Sequence, residues 1–488
     1  MSAVTPDTAA GDTGATPATG STTNVVDRLL AELPGRVDVS AEALEAVRAD
    51  RSGFRADAAP LAVVRAGSVE DVQAVCRVAS ATGTPIVPSG ARSGISGGAV
   101  AGAGTICLDL MGMDRILEVS APDRLAVVEP GVLNGDLNRT LAEHGLWWAP
   151  DPASKDISSV GGNIALNAGG LLCAKYGVTR EAVLGLSVVL ADGTLMEFGH
   201  RSVKGVTGYD LTALMIGSEG TLGIIVGATL ALRPLDDAPV ATLGGFFPDV
   251  VAAARASAAI TEAGLVPAIM ELVDEATLDA IRRYTVSLGE DPSALPERGA
   301  YLLVQADEPG ASAEGERMAA LMREASGDVT LTMDPEHADR LVALRRRVFP
   351  ALEWLGTPLV EDVAVPRSAM PEMFARIRAI EAATGVFIPT SAHAGDGNLH
   401  PIPVFGTSGE VGATGEAGIP QDVWDAVGQV FAAALELGGT LTGEHGVGLL
   451  KRVFLRDEIG DEQYALQQRV KAAFDPQGIL NPGKVFQG

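Results

Sequence analysis

The 488-residue chain is poor in cysteine, histidine and aromatic residues, and it has a large deficit of cations. Its 36 Lys and Arg are outnumbered by 62 Asp and Glu, which gives a net charge of −26 at pH 7 with neutral histidine. A surface of this sign repels nucleic acids and anionic lipid headgroups, so we expect neither as a partner. An anionic small molecule would therefore need a local basic pocket.

The three cysteines, Cys76, Cys107 and Cys173, are far apart and show no C-x-x-C spacing. This pattern predicts buried thiols in a reducing compartment and argues against a disulfide scaffold or a zinc ribbon. No uninterrupted apolar run reaches the length of a membrane span. Residues 1–23 are rich in Thr, Ala, Gly and Pro without Lys or Arg, so we expect a disordered N-terminus, no signal peptide and a cytoplasmic protein.

Glycine, in contrast, is abundant, and much of it lies in one stretch from Asp151 to Ile225. The clusters Gly161-Gly162-Asn163, Asn167-Ala168-Gly169-Gly170 and Gly217 to Gly223 interrupt strand-like apolar runs there. Missing side chains expose backbone N–H groups and allow the main chain to approach a flat or anionic ligand closely. The stretch predicts the bed of a large cofactor, although glycine turns in an all-β region would leave a similar pattern.

A fourth cluster, PSGARSGISGG from Pro88 to Gly98, follows a short apolar strand. Its consecutive N–H groups and hydroxyls suit a diphosphate, with Arg92 available for charge. The spacing is not G-x-G-x-x-G and no acidic residue closes a βαβ unit behind it, which disfavours a nicotinamide-type Rossmann site. Gly478 to Lys484 fits G-x-x-x-x-G-K, but Val485 replaces the Ser or Thr of a P-loop and no helix follows, so we exclude that site as well.

The length of the chain predicts two or three domains. After Leu235, strand patterns such as ATLGGFF and AYLLVQAD alternate with helix patterns such as DVVAAARASAAITEAG, which is typical of an antiparallel sheet covered by helices. We expect an α+β protein with a cofactor-binding domain at 24–236, a substrate or cap domain at 237–430 and a C-terminal segment at 431–488 that returns to the cofactor. The glycine-rich segment from Gly406 to Ile419 predicts a mobile surface loop.

Three of the six histidines fall between His393 and His445. His393 and His400 flank an Asp396-Gly397 turn signal, which folds the two imidazoles toward each other across a hairpin. Gly443-Glu444-His445-Gly446 then supplies a carboxylate and a third imidazole. Two histidines and one carboxylate leave positions open on a divalent ion, as in catalytic metal sites. Taken singly, each histidine is better explained by a hydrogen bond within a turn.

These motifs together resemble a known family. The strings PSGARSGISGG, PDPASKDISSVGGNIALNAGGLLCAKYGVTREAVLGL and GYDLTALMIGSEGTLGI are similar to the FAD-binding domain of the vanillyl-alcohol oxidase and p-cresol methylhydroxylase superfamily. H-x-G-D-G-N-x-H and G-E-H-G resemble its FAD-linked 2-hydroxyacid dehydrogenases, namely D-lactate dehydrogenase, the glycolate oxidase FAD subunit and D-2-hydroxyglutarate dehydrogenase. The resemblance covers nearly all the chain after about Val26. It implies a two-subdomain FAD-binding domain and an α+β cap domain with an antiparallel sheet.

The resemblance also implies roles for individual residues. His393, His400 and Glu444 would bind a divalent ion, zinc or manganese, while His445 would be the catalytic base and Arg345 and Asn398 would bind substrate. The residues that it assigns to FAD lie in the glycine clusters and the tail: Pro88, Ser89, Gly90, Ala91, Arg92, Ser93, Gly94, Asp151, Pro152, Ser154, Val160, Gly161, Gly162, Asn163, Asn167, Gly169, Gly170, Tyr176, Gly177, Glu219, Gly220, Gly223, Ile224, Ile225 and Asn481. Because the diphosphate loop has no histidine or cysteine, we expect FAD to be bound non-covalently.

The chain departs from the family in two places. Members usually carry Arg-Gly-Ala-Gly-Thr in the diphosphate loop, whereas this chain has Ser89-Gly90-Ala91-Arg92-Ser93, so the basic residue has moved by three positions. Some members place a lysine just before the Asp of a later strand, and Leu359 to Pro366 has none. That absence argues against recognition of a second, distal substrate carboxylate.

We therefore expect oxidation of a small D-2-hydroxy acid, D-lactate or glycolate, to the 2-oxo acid, with hydride transfer to flavin N5. Within the superfamily, the alternative is D-2-hydroxyglutarate or another alcohol or sugar acid. Outside it, the alternative is a catalytically silent FAD-binding electron-transfer subunit. The electron acceptor, whether a quinone, a cytochrome, an electron-transfer flavoprotein or oxygen, stays open, as does the oligomeric state, for which a homodimer is one option.

Overall fold

The computed structural model describes residues 22–236, 238–293, 295–406 and 418–487. Most of the N-terminus predicted to be disordered, and residues 407–417 of the loop predicted to be mobile, lie outside these ranges. The first helix begins at Thr22, earlier than predicted, because Val25 and Leu29 are buried in the core of the first half. Among the described residues, no helix is both long enough and apolar enough to cross a membrane.

The first half of the chain, up to Pro234, contains two main sheets. Its elements are α1 (Thr22–Glu32), β1 (Val37–Asp38), α2 (Ala41–Ala46), β2 (Ala62–Arg65), α3 (Val69–Thr82), β3 (Ile86–Ser89), β4 (Ile106–Asp109), β5 (Ile116–Ser120), β6 (Leu125–Val128), α4 (Asn134–Ala142), β7 (Leu146–Trp147), α5 (Val160–Leu166), α6 (Cys173–Tyr176), a 3-10 turn (Thr179–Ala182), β8 (Val183–Val189), β9 (Leu195–Gly199), α7 (Leu211–Met215), β10 (Ile224–Ala231) and β11 (Arg233–Pro234). One sheet has the order β1-β2-β4-β3, with β4 parallel to both of its neighbours. The other is antiparallel, in the order β5-β6-β10-β8-β9.

The glycine cluster after Asp151 forms a short helix, so our expectation of strand-like surroundings there was wrong. Helix α5 starts where the Ser159 hydroxyl accepts a hydrogen bond from the Gly162 N–H at 3.3 Å. It ends at Asn167, which adopts a left-handed conformation with φ of 52°. A capped start and a left-handed stop satisfy the end groups of the helix and outweigh the low helix propensity of two glycines.

The second half forms one large antiparallel sheet with helices on both faces. Its elements are β12 (Ala241–Phe247), α8 (Val250–Glu262), β13 (Ile269–Val273), α9 (Glu275–Ser287), β14 (Ala300–Ala306), α10 (Ala311–Glu324), β15 (Asp328–Thr332), α11 (Pro335–Arg346), α12 (Val348–Leu355), β16 (Thr357–Pro358), β17 (Val363–Ala364), a 3-10 turn (Arg367–Ala369), α13 (Met370–Thr384), β18 (Thr390–His393), β19 (Asn398–Pro401), β20 (Val404–Phe405), α14 (Gln421–Glu436) and α15 (Leu455–Phe474). The sheet has the order β15-β12-β14-β13-β18-β19-β17.

Alternating residues of the central strands supply the two cores of this half. Leu272 and Leu302 pack with α8, α10, α13 and α14, whereas Val273 and Leu303 face the other way and pack with α9 and α12. A strand directs successive side chains to opposite faces, so a sheet that is buried on both faces needs continuous apolar runs. A polar residue inside such a run, such as Glu271, therefore needs a specific partner.

The C-terminal tail returns to the first half. The Ile86 N–H of β3 donates to the Ile479 carbonyl at 2.7 Å, and the Asn481 N–H donates to the Ile86 carbonyl at 2.8 Å. Lys484, from the P-loop-like string, is buried and donates to the Val100 carbonyl at 2.9 Å, which is a structural role. The tail after α15 is consequently anchored to the first half.

The cysteines are free, in agreement with the prediction. Cys76 and Cys107 are buried, but Cys173, the first residue of α6, is only partly buried, and its Sγ accepts from the Gly170 N–H at 3.0 Å.

Candidate active site

The hairpin of β18 and β19 brings two predicted metal ligands together. His393 lies opposite Asn398, and Ser391 lies opposite His400, so the two imidazoles share one face of the sheet. Gly397 turns the chain with φ of 85°, where an L side chain would be strained. The two rings meet edge to face with their centroids 4.9 Å apart.

The loop Gly443–Gly448 delivers a carboxylate and a third imidazole to the same place. Glu444 Oε1 lies 3.2 Å from His393 Nε2, 3.1 Å from His400 Nε2 and 3.9 Å from His445 Nε2. The His445 ring stacks on the His400 ring at a centroid distance of 5.3 Å and an angle of 19°. All three imidazoles thus direct Nε2 toward one carboxylate oxygen.

This donor set fits a divalent metal ion. One ligand atom from each of His393, His400 and Glu444 lies within 4.8 Å of the others. Bonds of about 2.0–2.1 Å in a tetrahedron separate ligand atoms by roughly 3.3 Å, close to the two distances between Glu444 and the histidines. Two imidazoles and one carboxylate suit zinc or manganese and leave open positions.

Glu444 and His400 carry the charges that metal ligation requires, whereas His393 must first lose a proton. Burial would raise the pKa of the Glu444 carboxyl, but His393 and His400 hold it well below its ordinary value, so Glu444 is an anion. Burial lowers the pKa of His400, which keeps its ring neutral. Burial also opposes charge on His393, yet the carboxylates of Glu271 and Glu444 raise its pKa well above the usual value. An ion would replace that proton, as metal ligation requires.

Asp362 holds the loop that carries Glu444 and His445. Its Oδ2 accepts from the Glu444 N–H at 2.7 Å and the His445 N–H at 3.1 Å, and Thr442 Oγ1 donates to the same carboxylate at 3.0 Å. His445 Nδ1 lies 3.2 Å from Asp362 Oδ1, outside hydrogen-bond alignment. The buried ammonium of Lys451 completes the cluster through a short ion pair to Asp362.

The same loop contacts the glycine clusters of the first half. Glu219 accepts from the Val447 N–H at 2.7 Å and the Gly448 N–H at 2.8 Å. Directly after the loop, the Leu449 N–H donates to the Ser96 backbone carbonyl at 2.8 Å. A Cβ on Gly169 would lie 2.5 Å from Glu444 Oε2, so the absence of a side chain there lets the carboxylate in. The predicted cofactor bed and the His–Glu cluster therefore form one site.

Two residues predicted to bind FAD, Glu219 and Asn481, lie beside this loop. Asn481 Nδ2 donates to the Gly98 carbonyl at 3.0 Å and the Glu219 carbonyl at 2.8 Å. Within the described chain, the buried Ser158 Oγ and Asn163 Nδ2 have no hydrogen-bond partner, so they are free to donate to a ligand. A glycine-lined surface with unused donors fits the diphosphate and ring edges of FAD.

Other residues of the predicted FAD set have contacts within the protein that explain them. A Cβ on Gly161 would lie 2.5 Å from Pro130 Cβ, and a Cβ on Gly223 would lie 2.4 Å from Val188 Cγ1, so close packing alone requires these glycines. The Tyr176 hydroxyl donates to Asp307 of the second half at 2.6 Å. Both carboxylate oxygens of Glu219 are occupied by the loop described above, so its side chain positions that loop.

Comparison with known proteins identifies the family. Residues 237–485 match the family model described as FAD linked oxidases, C-terminal domain, and residues 60–199 match an FAD binding domain. The glycolate oxidase subunit GlcD of Bacillus subtilis is 38% identical over 88% of this chain and 89% of its own length. The chain belongs to the FAD-linked oxidases. A further relative is the D-lactate dehydrogenase of Anaerostipes hadrus, which is 34% identical and covers 95% of this chain and 97% of its own length. Another is the D-2-hydroxyglutarate dehydrogenase of Xanthomonas citri pv. viticola, which is 37% identical and covers 88% of this chain and 89% of its own length.

Our prediction that the chain is an enzyme of the FAD-linked 2-hydroxyacid dehydrogenase group is confirmed by these matches. Solved structures bear out the fold. p-Cresol methylhydroxylase with substrate bound superposes with a TM-score of 0.75 at 17% identity, covering 95% of this chain and 97% of that one. The 4-ethylphenol oxidase of Gulosibacter chungangensis gives 0.72 at 19%, with the same coverage. The predicted vanillyl-alcohol oxidase type of fold is therefore confirmed.

In this FAD-linked oxidase, the two predicted substrate residues lie beside the His–Glu cluster. The Asn398 amide is buried against the backbone of Gly443, and its Oδ1 has no partner within the described residues. Arg345 donates from Nε to Glu271 Oε2 at 2.9 Å, and its side chain is 17% exposed.

Sequence reasoning missed Glu271, Asp362 and Lys451. Each is an ionisable residue with almost no exposed surface. Glu271 is on β13, Asp362 directly precedes β17, and Lys451 follows the loop Gly443–Gly448. The signal was present for two of them, because AIMELVD and LVEDVAVP place acidic residues inside apolar strand patterns. Buried carboxylates of this kind are paired or functional in most proteins.

Replacing Gly169 with Ala tests the junction between the two halves. The new methyl group would lie 2.5 Å from Glu444 Oε2 and 2.9 Å from Glu444 Cβ, so this ligand must move. We expect Zn²⁺ affinity, measured by competition with a chromogenic chelator, to fall about 10-fold or more, while FAD absorbance is retained.

The matched control is Gly428→Ala in α14, where a Cβ would make an ordinary contact of 3.4 Å with Phe454 Cε1. This variant should bind Zn²⁺ like the parent protein. Equal affinity of all three proteins for Zn²⁺ would show that Gly169 does not shape the ligand cluster.

Proposed function

We propose that this FAD-linked oxidase oxidises a small D-2-hydroxy acid, D-lactate or glycolate, to the 2-oxo acid with the help of a divalent ion held by His393, His400 and Glu444. One observation carries the proposal: the loop Gly443–Gly448 contacts the ligand histidines and also the glycine clusters of the first half. In this proposal residues 24–236 bind FAD, 237–430 form the substrate cap, and 431–488 return the catalytic base to the flavin.

Bound FAD would supply the hydride acceptor, and a bound divalent ion would polarise the hydroxyl and carboxylate oxygens of the substrate. His445 Nε2 takes the hydroxyl proton, because it faces the ligand cluster at 3.9 Å from Glu444 Oε1. Asp362 Oδ1, 3.2 Å from Nδ1 on the other side of the ring, stabilises the imidazolium that results. The site is largely closed to water, since only 15% of the His445 side chain is exposed.

Charge around the site favours a substrate with a single carboxylate. Arg345 is a partly exposed cation, and the buried Asn398 amide, opposite His393 in the hairpin, offers a polar contact beside the His–Glu cluster. The Lys451 ammonium is already paired with Asp362 and Glu361. A second carboxylate would approach these acidic groups without a compensating cation, which favours D-lactate or glycolate over D-2-hydroxyglutarate.

Anaerobic bleaching of the flavin by a panel of 2-hydroxy acids tests this proposal. D-lactate or glycolate should reduce the flavin fastest, and removal of the metal with a chelator should abolish reduction while FAD remains bound. Zn²⁺ or Mn²⁺ should restore it. If none of the acids bleaches the flavin of the metal-loaded protein, a silent electron-transfer subunit replaces the proposal; if chelated protein keeps full activity, the metal role is wrong.

A further inference from the structure

Glu271 lies behind the ligand cluster of His393, His400 and Glu444. It belongs to neither of the two histidine motifs and has no role in the proposed reaction. It is on β13, directly opposite His393 of β18, and its side chain is fully buried. Its Oε1 is 2.6 Å from His393 Nδ1, and its Oε2 accepts from Arg345 Nε at 2.9 Å. One carboxylate therefore joins a metal ligand to the guanidinium of the substrate site.

We infer that Glu271 is a positioning residue that sets both the affinity for the divalent ion and the affinity for the substrate carboxylate. The inference rests on the proposed function, because it assigns the two partners of Glu271 to the ion and to the substrate. It goes further by making the two binding events depend on one side chain that touches neither ligand.

The contact with His393 fixes which ring nitrogen can bind metal. A carboxylate without a proton accepts hydrogen bonds, so His393 must donate its Nδ1–H to Glu271. In the neutral, metal-binding form of the ring, the lone pair is then on Nε2, the atom that faces Glu444 at 3.2 Å. His400 Nδ1 faces the Glu361 backbone carbonyl at 3.4 Å, which no side-chain substitution removes. His393 is consequently the ligand histidine whose orientation depends on a side chain.

The contact with Arg345 fixes the plane of the guanidinium. With Nε bound to Glu271, the two Nη groups make no hydrogen bond within the described chain. They can form a fork for a carboxylate, because the guanidinium is planar and its donors have fixed directions. The buried Glu271 carboxylate is also neutralised by this arginine, so the two residues support each other.

Glu271→Gln tests the inference with minimal change of shape. The amide has one acceptor and one donor, so it can satisfy either the Arg345 N–H or the His393 N–H, but not both. If the amide NH₂ faces His393, the ring must protonate Nε2 and loses its metal-facing lone pair. We expect affinity for Zn²⁺ alone, measured by chelator competition without substrate, to fall about 10–100-fold. KM for the 2-hydroxy acid should rise about 10-fold at saturating metal, while FAD content stays the same.

Two further variants separate positioning from simple stability. Glu129→Gln makes the same change at another buried carboxylate that pairs with an arginine, Arg115, at 2.7 Å in the first half, and it should leave Zn²⁺ affinity and KM unchanged. Arg345→Lys keeps the charge but removes the fork, so it should raise KM while Zn²⁺ affinity stays within about 3-fold of the parent.

The outcomes are distinguishable. The inference is supported if Glu271→Gln binds Zn²⁺ more weakly and has a higher KM than the parent protein while Glu129→Gln does not. Parental Zn²⁺ affinity and KM in Glu271→Gln would overturn it and leave Glu271 as a structural ion pair. Failure of the parent protein to bind Zn²⁺ or Mn²⁺ at all would instead refute the proposed function, on which the inference depends.

Discussion

His445→Asn should reduce the flavin with a 2-hydroxy acid about 10²–10⁴ times more slowly than the parent protein, with FAD and metal still bound. The asparagine amide can occupy the space of the ring, but it cannot accept the hydroxyl proton. His445 stacks on His400 and is not among the three clustered ligand residues, so the ion should remain. Anaerobic stopped-flow measurement of flavin bleaching gives the rate, and absorbance and metal analysis give the occupancy.

His144→Asn is the matched control, since this exposed histidine follows α4, outside the candidate site. Its rate of flavin reduction should equal that of the parent. A His445→Asn protein that bleaches as fast as the control would remove His445 from the mechanism. Loss of FAD from His445→Asn, in contrast, would assign the histidine to cofactor binding.

The parts of the site that lie close together in the chain were predictable from the sequence. His393 and His400 flank a turn whose Gly397 needs a positive φ, and Glu444 is adjacent to His445, so local signals indicated both groups. The family and fold followed from motifs of the same local kind. The metal, substrate and FAD roles of individual residues stay predictions.

The residues that support the site were not predictable in this way. Glu271 precedes His393 by 122 positions, and Asp362 precedes His445 by 83, so no spacing rule links them. Glu271 meets His393 because β13 pairs with β18, and Asp362 meets His445 because Ala364 of β17 pairs with Thr440. Both pairings depend on long-range packing. Helix α5 was missed for a different reason, since the Ser159 cap and the left-handed Asn167 outweigh the poor helix propensity of its glycines.

Asp362→Asn should lower the free energy of unfolding of the second half by about 3 kcal/mol, because it breaks a buried ion pair with Lys451. Asp362 also receives the N–H groups of Glu444 and His445 on Oδ2. The NH₂ group of an asparagine would face either the N–H groups of Glu444 and His445 or the Lys451 ammonium. One of these two sets of donors would therefore lose its acceptor. Burial opposes charge on Asp362, yet the neighbouring His445 and Lys451 hold the pKa of its carboxyl well below the ordinary value, so the carboxyl is an anion.

Glu361→Gln provides the comparison at the next residue, which is equally buried and 3.3 Å from the same ammonium. Its carboxylate oxygens have no hydrogen-bond partner within the described chain, and burial together with the Asp362 charge raises the pKa of the Glu361 carboxyl. We expect an amide at this position to cost less than about 1 kcal/mol, since it removes a like charge and breaks no hydrogen bond. Thermal unfolding should therefore shift by roughly 6–12 °C for Asp362→Asn and by a few degrees at most for Glu361→Gln. Equal shifts would mean that Lys451 is stabilised by both acids alike, and that Asp362 is not the residue that holds the loop of Glu444 and His445 in place.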